Sequence, residues 1–202
     1  MVIHQVFPTP AYVSTLGREL TQEELRTIDK YKKKTYKNSG NRTSNDSYVL
    51  ENETLKNLKK DLNKNLIDYF KEVVCTSDPI TPYITQSWLN YTDTNQYHHK
   101  HYHSNSHISG VFYVSADPKV DYIRFYKYNI PELELTIAKY NPFNSMSMGV
   151  GVKTGMVILF PSTLPHGVEK KKGRNTRISL SFNTFLQGRM GNKEKLTELI
   201  IR

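Results

Sequence analysis

The feature that most constrains the fold of this chain is a change in the spacing of its apolar residues at about residue 83. Before that point apolar residues recur every three or four positions, as in amphipathic helices, and after it they alternate with polar residues, as in half-buried strands. Six short alternating segments follow, each bounded by Gly, Pro, Asn or Asp. They are residues 83–91, 109–114, 121–126, 148–152, 155–160 and 176–182. The pattern predicts a β-sandwich or barrel with helices packed outside it.

Two helices are predicted before the strands. Thr21 and Glu24 form a capping-box pattern, which opens a helix that extends to about Lys34. Residues 39–47 are polar and rich in helix breakers, and they predict a loop. The tail, residues 192–202, is expected to form one short helix. The second helix has its apolar residues in one stripe, formed by Leu55, Leu58, Leu62, Leu66, Phe70 and Val73.

The length of 202 residues is enough for one domain with a core of its own. Within the domain 1–202 we expect N-terminal helical support over 1–80, a barrel over 81–185 and a C-terminal tail over 186–202. The single cysteine, Cys75, excludes an internal disulfide, and we expect it to be buried at a helix end. The sequence has no signal-peptide pattern and no apolar segment of membrane-spanning length. These features predict a soluble, cytoplasmic protein without a membrane partner.

The net charge of +9, from 28 Lys and Arg against 19 Asp and Glu, is open to two interpretations. A basic protein can bind nucleic acid. Alternatively, the lysines lie on solvated surfaces, as the runs at residues 31–36 and 169–174 suggest. We favour the second interpretation because no nucleic-acid-binding motif accompanies the charge, and nucleic acid stays a weaker candidate partner.

Five of the seven histidines fall within ten residues, and a sixth, His166, follows the apolar strand 155–160 and a Pro-flanked turn. Histidine is the commonest metal ligand in proteins. His101 and His103 are two residues apart, so on an extended strand both point to the same face, and His166 can be brought to them as a third ligand. The spacing therefore predicts a metal site at His101, His103 and His166. His99 and His101 have the same spacing and form a rival pair, while His98, His99 and His107 are otherwise expected beside the site or on the surface.

The alternation of side chains along a strand also predicts where Arg177 points. Arg177, Ser179 and Ser181 alternate with apolar residues, so the arginine is expected to point into the barrel. A buried arginine needs a charged partner, and no carboxylate is near it in the sequence. A bound dicarboxylate would supply that partner through bidentate hydrogen bonds. Together, the metal site and the arginine predict a non-heme metal enzyme with an acidic co-substrate.

Three sequence blocks resemble the motifs of the 2-oxoglutarate/Fe(II)-dependent oxygenase family of bacterial and tailed-phage type. The first, residues 101–114, contains His-x-His followed by Ser-Gly-Val-Phe-Tyr. The second, residues 159–168, reads Leu-Phe-Pro-Ser-Thr-Leu-Pro-His-Gly-Val, and the third, residues 177–183, reads Arg-Ile-Ser-Leu-Ser-Phe-Asn. The opening Phe-Pro-Thr-Pro at residues 7–10 is also similar to the usual start of the family.

This resemblance implies a mainly β fold with flanking helices, namely a double-stranded β-helix, which is a jelly-roll barrel of the cupin type. It implies Fe(II) held by His101, His103 and His166, and 2-oxoglutarate held by Arg177 with help from Ser179 and Tyr113. The implied activity is a dioxygenase that hydroxylates an unidentified substrate and releases succinate and CO2, with ascorbate as a candidate reductant. A phage-encoded member would act in the host cytoplasm. Most members of the wider superfamily have a carboxylate where this chain has His103.

Two other function classes fit parts of the pattern. Three histidines and a water also describe a zinc hydrolase or hydratase, although that class leaves Arg177 without a role. The third class is a non-catalytic metal-binding jelly-roll accessory protein. The sequence leaves the primary substrate open between a protein, a nucleobase and a small molecule, and exposed barrel edges suggest a homodimer.

Overall fold

A computed structural model describes residues 2–128 and 133–202 of the chain. Helix α1 spans Gln22–Lys32, and helix α2 spans Lys56–Tyr69 and continues as a π-helical turn over Phe70–Val74. The predicted capping box is confirmed, because Thr21 and Glu24 each accept a hydrogen bond from the main-chain N–H of the other. None of the helices in these two ranges combines the length and apolarity needed to cross a bilayer.

The described residues form twelve strands, all paired antiparallel. All six predicted strands are among them, and the chain adds several shorter ones. In chain order the strands are β1 Tyr12–Thr15, β2 Thr35–Lys37, β3 Arg42–Ser44, β4 Ile80–Thr92, β5 His98–His101, β6 Ile108–Ser115, β7 Tyr122–Tyr126, β8 Ser147–Gly151, β9 Met156–Pro161, β10 His166–Val168, β11 Arg177–Met190 and β12 Leu199–Ile201.

The strands belong to two sheets. The major sheet has the order β1-β9-β6-β11-β4-β3-β2, with β12 paired to the end of β11, and the minor sheet has the order β5-β10-β7-β8. Val111 and Phe160 of the major sheet pack against Ile123 and Phe125 of the minor sheet, which forms a core between the sheets. The predicted mainly β fold with flanking helices is confirmed, and the two sheets of the described residues do not close into one barrel. In the described chain each sheet ends in two edge strands, so no ladder of hydrogen bonds joins the sheets into a ring.

A second core lies on the outer face of the major sheet, where α2 packs. The leucines of its apolar stripe are buried together with Phe112 of β6 and Leu180 of β11. Because side chains alternate along a strand, the neighbours of these residues point into the space between the sheets. The helices therefore support the major sheet from outside and leave its inner face available for the site.

Three local predictions are corrected by the structure. The segment 39–47 is not only a loop, since it contains β3, which pairs with β2 and β4. The tail forms strand β12 rather than a helix, because Gly191 turns the chain back at a φ of 79° and β12 pairs with β11. Cys75 is exposed at the end of the π-helical turn rather than buried.

Candidate metal centre

The structure brings the three predicted metal ligands together at the edge of the minor sheet that is formed by β5. His101 is the last residue of β5, and it pairs directly with His166, the first residue of β10. His103 lies two residues beyond the end of β5, where its main-chain N–H donates to the carbonyl of Ser162 at 2.9 Å. One potential ligand atom from each ring lies within 4.8 Å of the others. This spacing is short enough for the three imidazoles to share one ion.

Main-chain carbonyls set the orientation of two of these rings. Nδ1 of His101 lies 2.8 Å from the carbonyl oxygen of His99, and Nδ1 of His166 lies 2.9 Å from that of Leu164. Because a carbonyl oxygen only accepts hydrogen bonds, each Nδ1 carries the proton and each Nε2 keeps its lone pair. Both rings therefore present Nε2 as the atom free to bind a metal, and their partners fix that tautomer.

Burial keeps the imidazoles of the cluster uncharged near neutral pH. It lowers the pKa of His103 to about 4, that of His166 to about 3 and that of His98 to about 2. Burial also lowers the pKa of His101. A histidine must be neutral to bind a metal, so no proton has to leave these rings before they can act as ligands. The donor set of neutral imidazoles fits a divalent transition metal such as iron or zinc.

Arg177 begins β11 and is only 2% exposed. Its Nη2 lies 3.3 Å from Oγ1 of Thr92 and its Nη1 lies 3.5 Å from the carbonyl of Tyr122, both long for hydrogen bonds to a guanidinium. Its Nε is buried without a hydrogen-bond partner in the described chain. Burial lowers the pKa of Arg177, yet an arginine stays protonated in proteins. A buried guanidinium with a free Nε donor in the described chain fits an anionic ligand in the pocket beside it.

Tyr113 and Ser179 are the other two residues predicted to bind the co-substrate. They are direct partners in the pairing of β6 with β11, and both line the same pocket as Arg177 and the three histidines. Burial raises the pKa of Tyr113 to about 12, so its hydroxyl keeps its proton and can donate a hydrogen bond. The structure thus places a guanidinium and two hydroxyls on one wall of the pocket.

The space around the cluster has two parts that share lining residues. The inner pocket, which contains Arg177, Tyr113 and Ser179, has a cavity volume of about 40 Å³. The outer groove, with a volume of about 400 Å³, opens on the other side of the cluster, and Trp88, His98, His101 and His103 line both parts.

The remaining histidines of the run occupy different places. The ring of His98 stacks on that of His101, with centroids 4.5 Å apart, and its Nε2 lies 3.4 Å from Nδ2 of Asn38. His99 is exposed and is not part of the group of close ligand atoms in the described chain. His107 packs against Phe70 of the π-helical turn. His103, rather than the rival His99, is therefore the residue that meets His101 and His166.

The sequence argument placed His101 and His103 on one extended strand, which is wrong, although both histidines do reach the site. His103 lies outside β5, and Asn105 adopts a φ of 54°, so the chain does not stay extended between His101 and Ser109. Tyr113 reaches the pocket because it lies on β6, and the inner face of the major sheet forms the wall of the pocket. Sequence reasoning also missed the contact of His98 with Asn38, which joins β5 of the minor sheet to the segment after β2 of the major sheet and which no local pattern encodes.

Comparison with known proteins agrees with this arrangement. Residues 86–183 match the family model described as "Putative 2OG-Fe(II) oxygenase". This segment includes all six of the predicted site residues. No curated protein matches the chain in sequence.

Three solved structures have similar folds. An oxidoreductase of the 2OG-Fe(II) oxygenase family from Burkholderia pseudomallei has a TM-score of 0.55 and 14% identity, over 81% of this chain and 78% of that chain. HygX from Streptomyces hygroscopicus, with nickel, 2-oxoglutarate and hygromycin B bound, has a TM-score of 0.55 and 13% identity, over 87% and 82%. A prolyl-4-hydroxylase from Pseudomonas putida has a TM-score of 0.55 and 11% identity, over 87% and 92%. These likenesses confirm the predicted double-stranded β-helix fold.

Proposed function

Residues 86–183 belong to the 2OG-Fe(II) oxygenase family, and from that premise we propose that the chain is a 2-oxoglutarate- and Fe(II)-dependent dioxygenase. The observation that carries the proposal is the meeting of two features at one pocket. Three imidazoles have ligand atoms within 4.8 Å of one another, and the buried guanidinium of Arg177 lines the same pocket with an Nε that has no hydrogen-bond partner among the described residues.

The residues of the site have separate roles in this proposal. When bound, Fe(II) and 2-oxoglutarate supply the oxidative chemistry, in which O2 gives one oxygen atom to succinate and one to the hydroxylated substrate, with loss of CO2. His101, His103 and His166 would hold the metal, and the carbonyls of His99 and Leu164 keep two of the rings in the binding tautomer.

Arg177 would bind the distal carboxylate of 2-oxoglutarate, since its guanidinium forms no ion pair within 4.0 Å in the described chain and its Nε has no hydrogen-bond partner there. Ser179 and Tyr113 would donate hydrogen bonds to the same ligand. Replacing the usual carboxylate with His103 makes the metal site one charge more positive, and the dianionic co-substrate offsets that charge. The protein would thus bind and orient the reactants at one pocket.

Arg177 also favours this function over the alternatives. A zinc hydrolase would use the same imidazoles, but it would have no role for a buried guanidinium with an unpaired donor. A metal kept only for stability would not need an anion site beside it either. The buried guanidinium of Arg177 beside the imidazoles therefore favours a metal enzyme with an acidic co-substrate.

The test is the production of succinate. The purified chain, loaded anaerobically with Fe(II) and given 2-oxoglutarate, ascorbate and O2, should form succinate even without a primary substrate, at a low uncoupled rate. The Arg177→Ala variant and the Zn(II)-loaded protein should form none. Succinate at the level of these two controls, together with no binding of 2-oxoglutarate, would refute the proposal.

Two finer points complete the proposal. Ascorbate would act as a reductant that keeps the iron as Fe(II), and the reaction would take place in the cytoplasm, which is that of the host if a tailed phage encodes the chain. Omission of ascorbate from the assay tests the first point. Fractionation of expressing cells tests the second.

A further inference from the structure

The outer groove lies between β5 and the hairpin formed by β2 and β3. Its volume of about 400 Å³ is within the range of about 300–1,000 Å³ that is typical of small-molecule sites. Trp88 and four histidines form the wall towards the candidate metal centre. The rest of the lining comes from the hairpin and the segment after it, as Tyr36, Asn38, Thr43, Ser44, Asn45 and Ser47.

The chemistry of this lining differs from that of the chain as a whole. Lys, Arg, Asp and Glu make up 23% of the residues, yet none of them is among the described residues that line the groove, and neither is any aliphatic residue. Amide and hydroxyl side chains both donate and accept hydrogen bonds, whereas lysine and arginine only donate and carboxylates only accept. The groove therefore matches a neutral ligand whose own groups also do both.

Several of these groups are available to a ligand. Thr43 donates to Oδ1 of Asn90 at 3.0 Å, which fixes that hydroxyl. The side chains of Asn45 and Ser47, in contrast, form no hydrogen bond within the described chain, where only their main chains are engaged. Trp88 is half-buried and stacks on His103, with ring centroids 5.5 Å apart. A ligand packed on Trp88 would therefore lie beside one of the candidate metal ligands.

We propose that the groove binds an uncharged sugar ring of the primary substrate. This inference rests on the proposed function, whose substrate class it names. Sugar hydroxyls donate and accept hydrogen bonds as the groove's amides and hydroxyls do, and the C–H face of a sugar ring packs against an aromatic ring such as Trp88. A nucleic acid would instead need lysine or arginine beside its phosphates, and a peptide groove would offer aliphatic contacts to apolar side chains.

Trp88 is the only tryptophan of the chain, so its fluorescence reports on the groove without any turnover. The full chain, loaded with Zn(II) and 2-oxoglutarate, is titrated with three neutral trisaccharides: maltotriose, cellotriose and mannotriose. Trigalacturonate, a chitosan trimer, a triserine amide and an oligothymidylate serve as the charged, peptide and nucleic-acid comparisons. We expect saturable binding of at least one neutral trisaccharide, at least about tenfold tighter than any comparison probe, a margin that one or two lost hydrogen bonds produce.

The variants Asn45→Ala and Ser47→Ala should each weaken sugar binding several-fold. Asn57→Ala is the matched control, because Asn57 is exposed on α2 and does not line the groove. The inference is wrong if none of the neutral trisaccharides alters Trp88 fluorescence, or if a charged, peptide or nucleic-acid probe binds more tightly. Sugar binding without succinate formation and without 2-oxoglutarate binding would refute the proposed function alone, and succinate formation without sugar binding would refute this inference alone.

Discussion

His166 and His101 are direct cross-strand partners in the pairing of β10 with β5, and their ring centroids lie 4.4 Å apart. Antiparallel pairing fixes the separation of opposite residues through the main chain. Two of the three candidate ligands are thus held in place by the sheet itself. The third, His103, is held by the hydrogen bond from its N–H to Ser162, so the site is formed before a metal binds.

The first prediction concerns His166. His166→Ala should weaken metal binding by more than the roughly 10–100-fold that loss of an outer partner causes, because it removes a ligand directly. His99→Ala is the control, since it keeps the carbonyl that orients His101. Calorimetric titration with Ni(II) or Zn(II) measures both affinities. Weak binding in His99→Ala combined with unchanged binding in His166→Ala would reverse the ligand assignment.

The second prediction concerns Arg177. Arg177→Ala should raise the Kd for 2-oxoglutarate by at least about 30-fold, since truncating one partner of a buried charge pair costs about 2 kcal/mol or more. Metal affinity should stay within a few-fold, because the guanidinium is not a ligand. Arg189→Ala, which removes an exposed partner of Glu198, should leave both constants unchanged. Equal co-substrate affinity in Arg177→Ala and the parent chain would remove this arginine from the site.

The third prediction concerns a buried ion pair near Arg177. The side chains of Lys171 and Asp121 are each 1% exposed, with Nζ and Oδ1 3.5 Å apart. Lys171→Met should lower the free energy of unfolding by up to about 3–5 kcal/mol, because it removes the cation that pairs with a buried carboxylate and leaves Arg177 as the charge near it. The double variant Lys171→Met/Asp121→Asn should recover much of this loss in urea unfolding. A cost below about 1 kcal/mol for the single variant would show that the pair is not isolated from water.

The fourth prediction concerns pH. In the metal-free chain, burial lowers the pKa of His103 to about 4 and of His166 to about 3, from 6.5 for an ordinary imidazole. The unfolded chain therefore binds more protons than the folded chain below about pH 6.5, so stability present above that pH is lost as the pH falls towards 4. We expect the Tm to drop over this window and to drop less steeply in His166→Gln. Identical slopes in the two proteins would contradict the pKa assigned to His166.

Local pattern was sufficient to predict the inner face of the major sheet. Arg177 and Ser179 face the pocket as their alternation predicted, because β11 is regular over these residues and buried on both faces. The helices could also be predicted from local sequence, since the capping box at Thr21 and the leucine stripe of α2 are short-range signals. These features depend only on residues that are close in sequence.

The parts that sequence could not predict depend on contacts between distant segments. Nothing near His101 indicates that it pairs with His166, or that β5 ends there. The pairing of β3 with β4 turns a polar, breaker-rich segment into the floor of the outer groove. A three-residue strand of this kind has almost no intrinsic preference and forms only because its neighbour is in place.

The most direct test of the central claim is anomalous diffraction at the iron edge from anaerobic crystals of the chain with Fe(II) and 2-oxoglutarate. We predict one iron peak about 2.1 Å from a ring nitrogen of each of His101, His103 and His166, with the distal carboxylate of 2-oxoglutarate on the guanidinium of Arg177. An iron peak on His98 or His99 instead, or a 2-oxoglutarate molecule bound away from Arg177, would contradict the account.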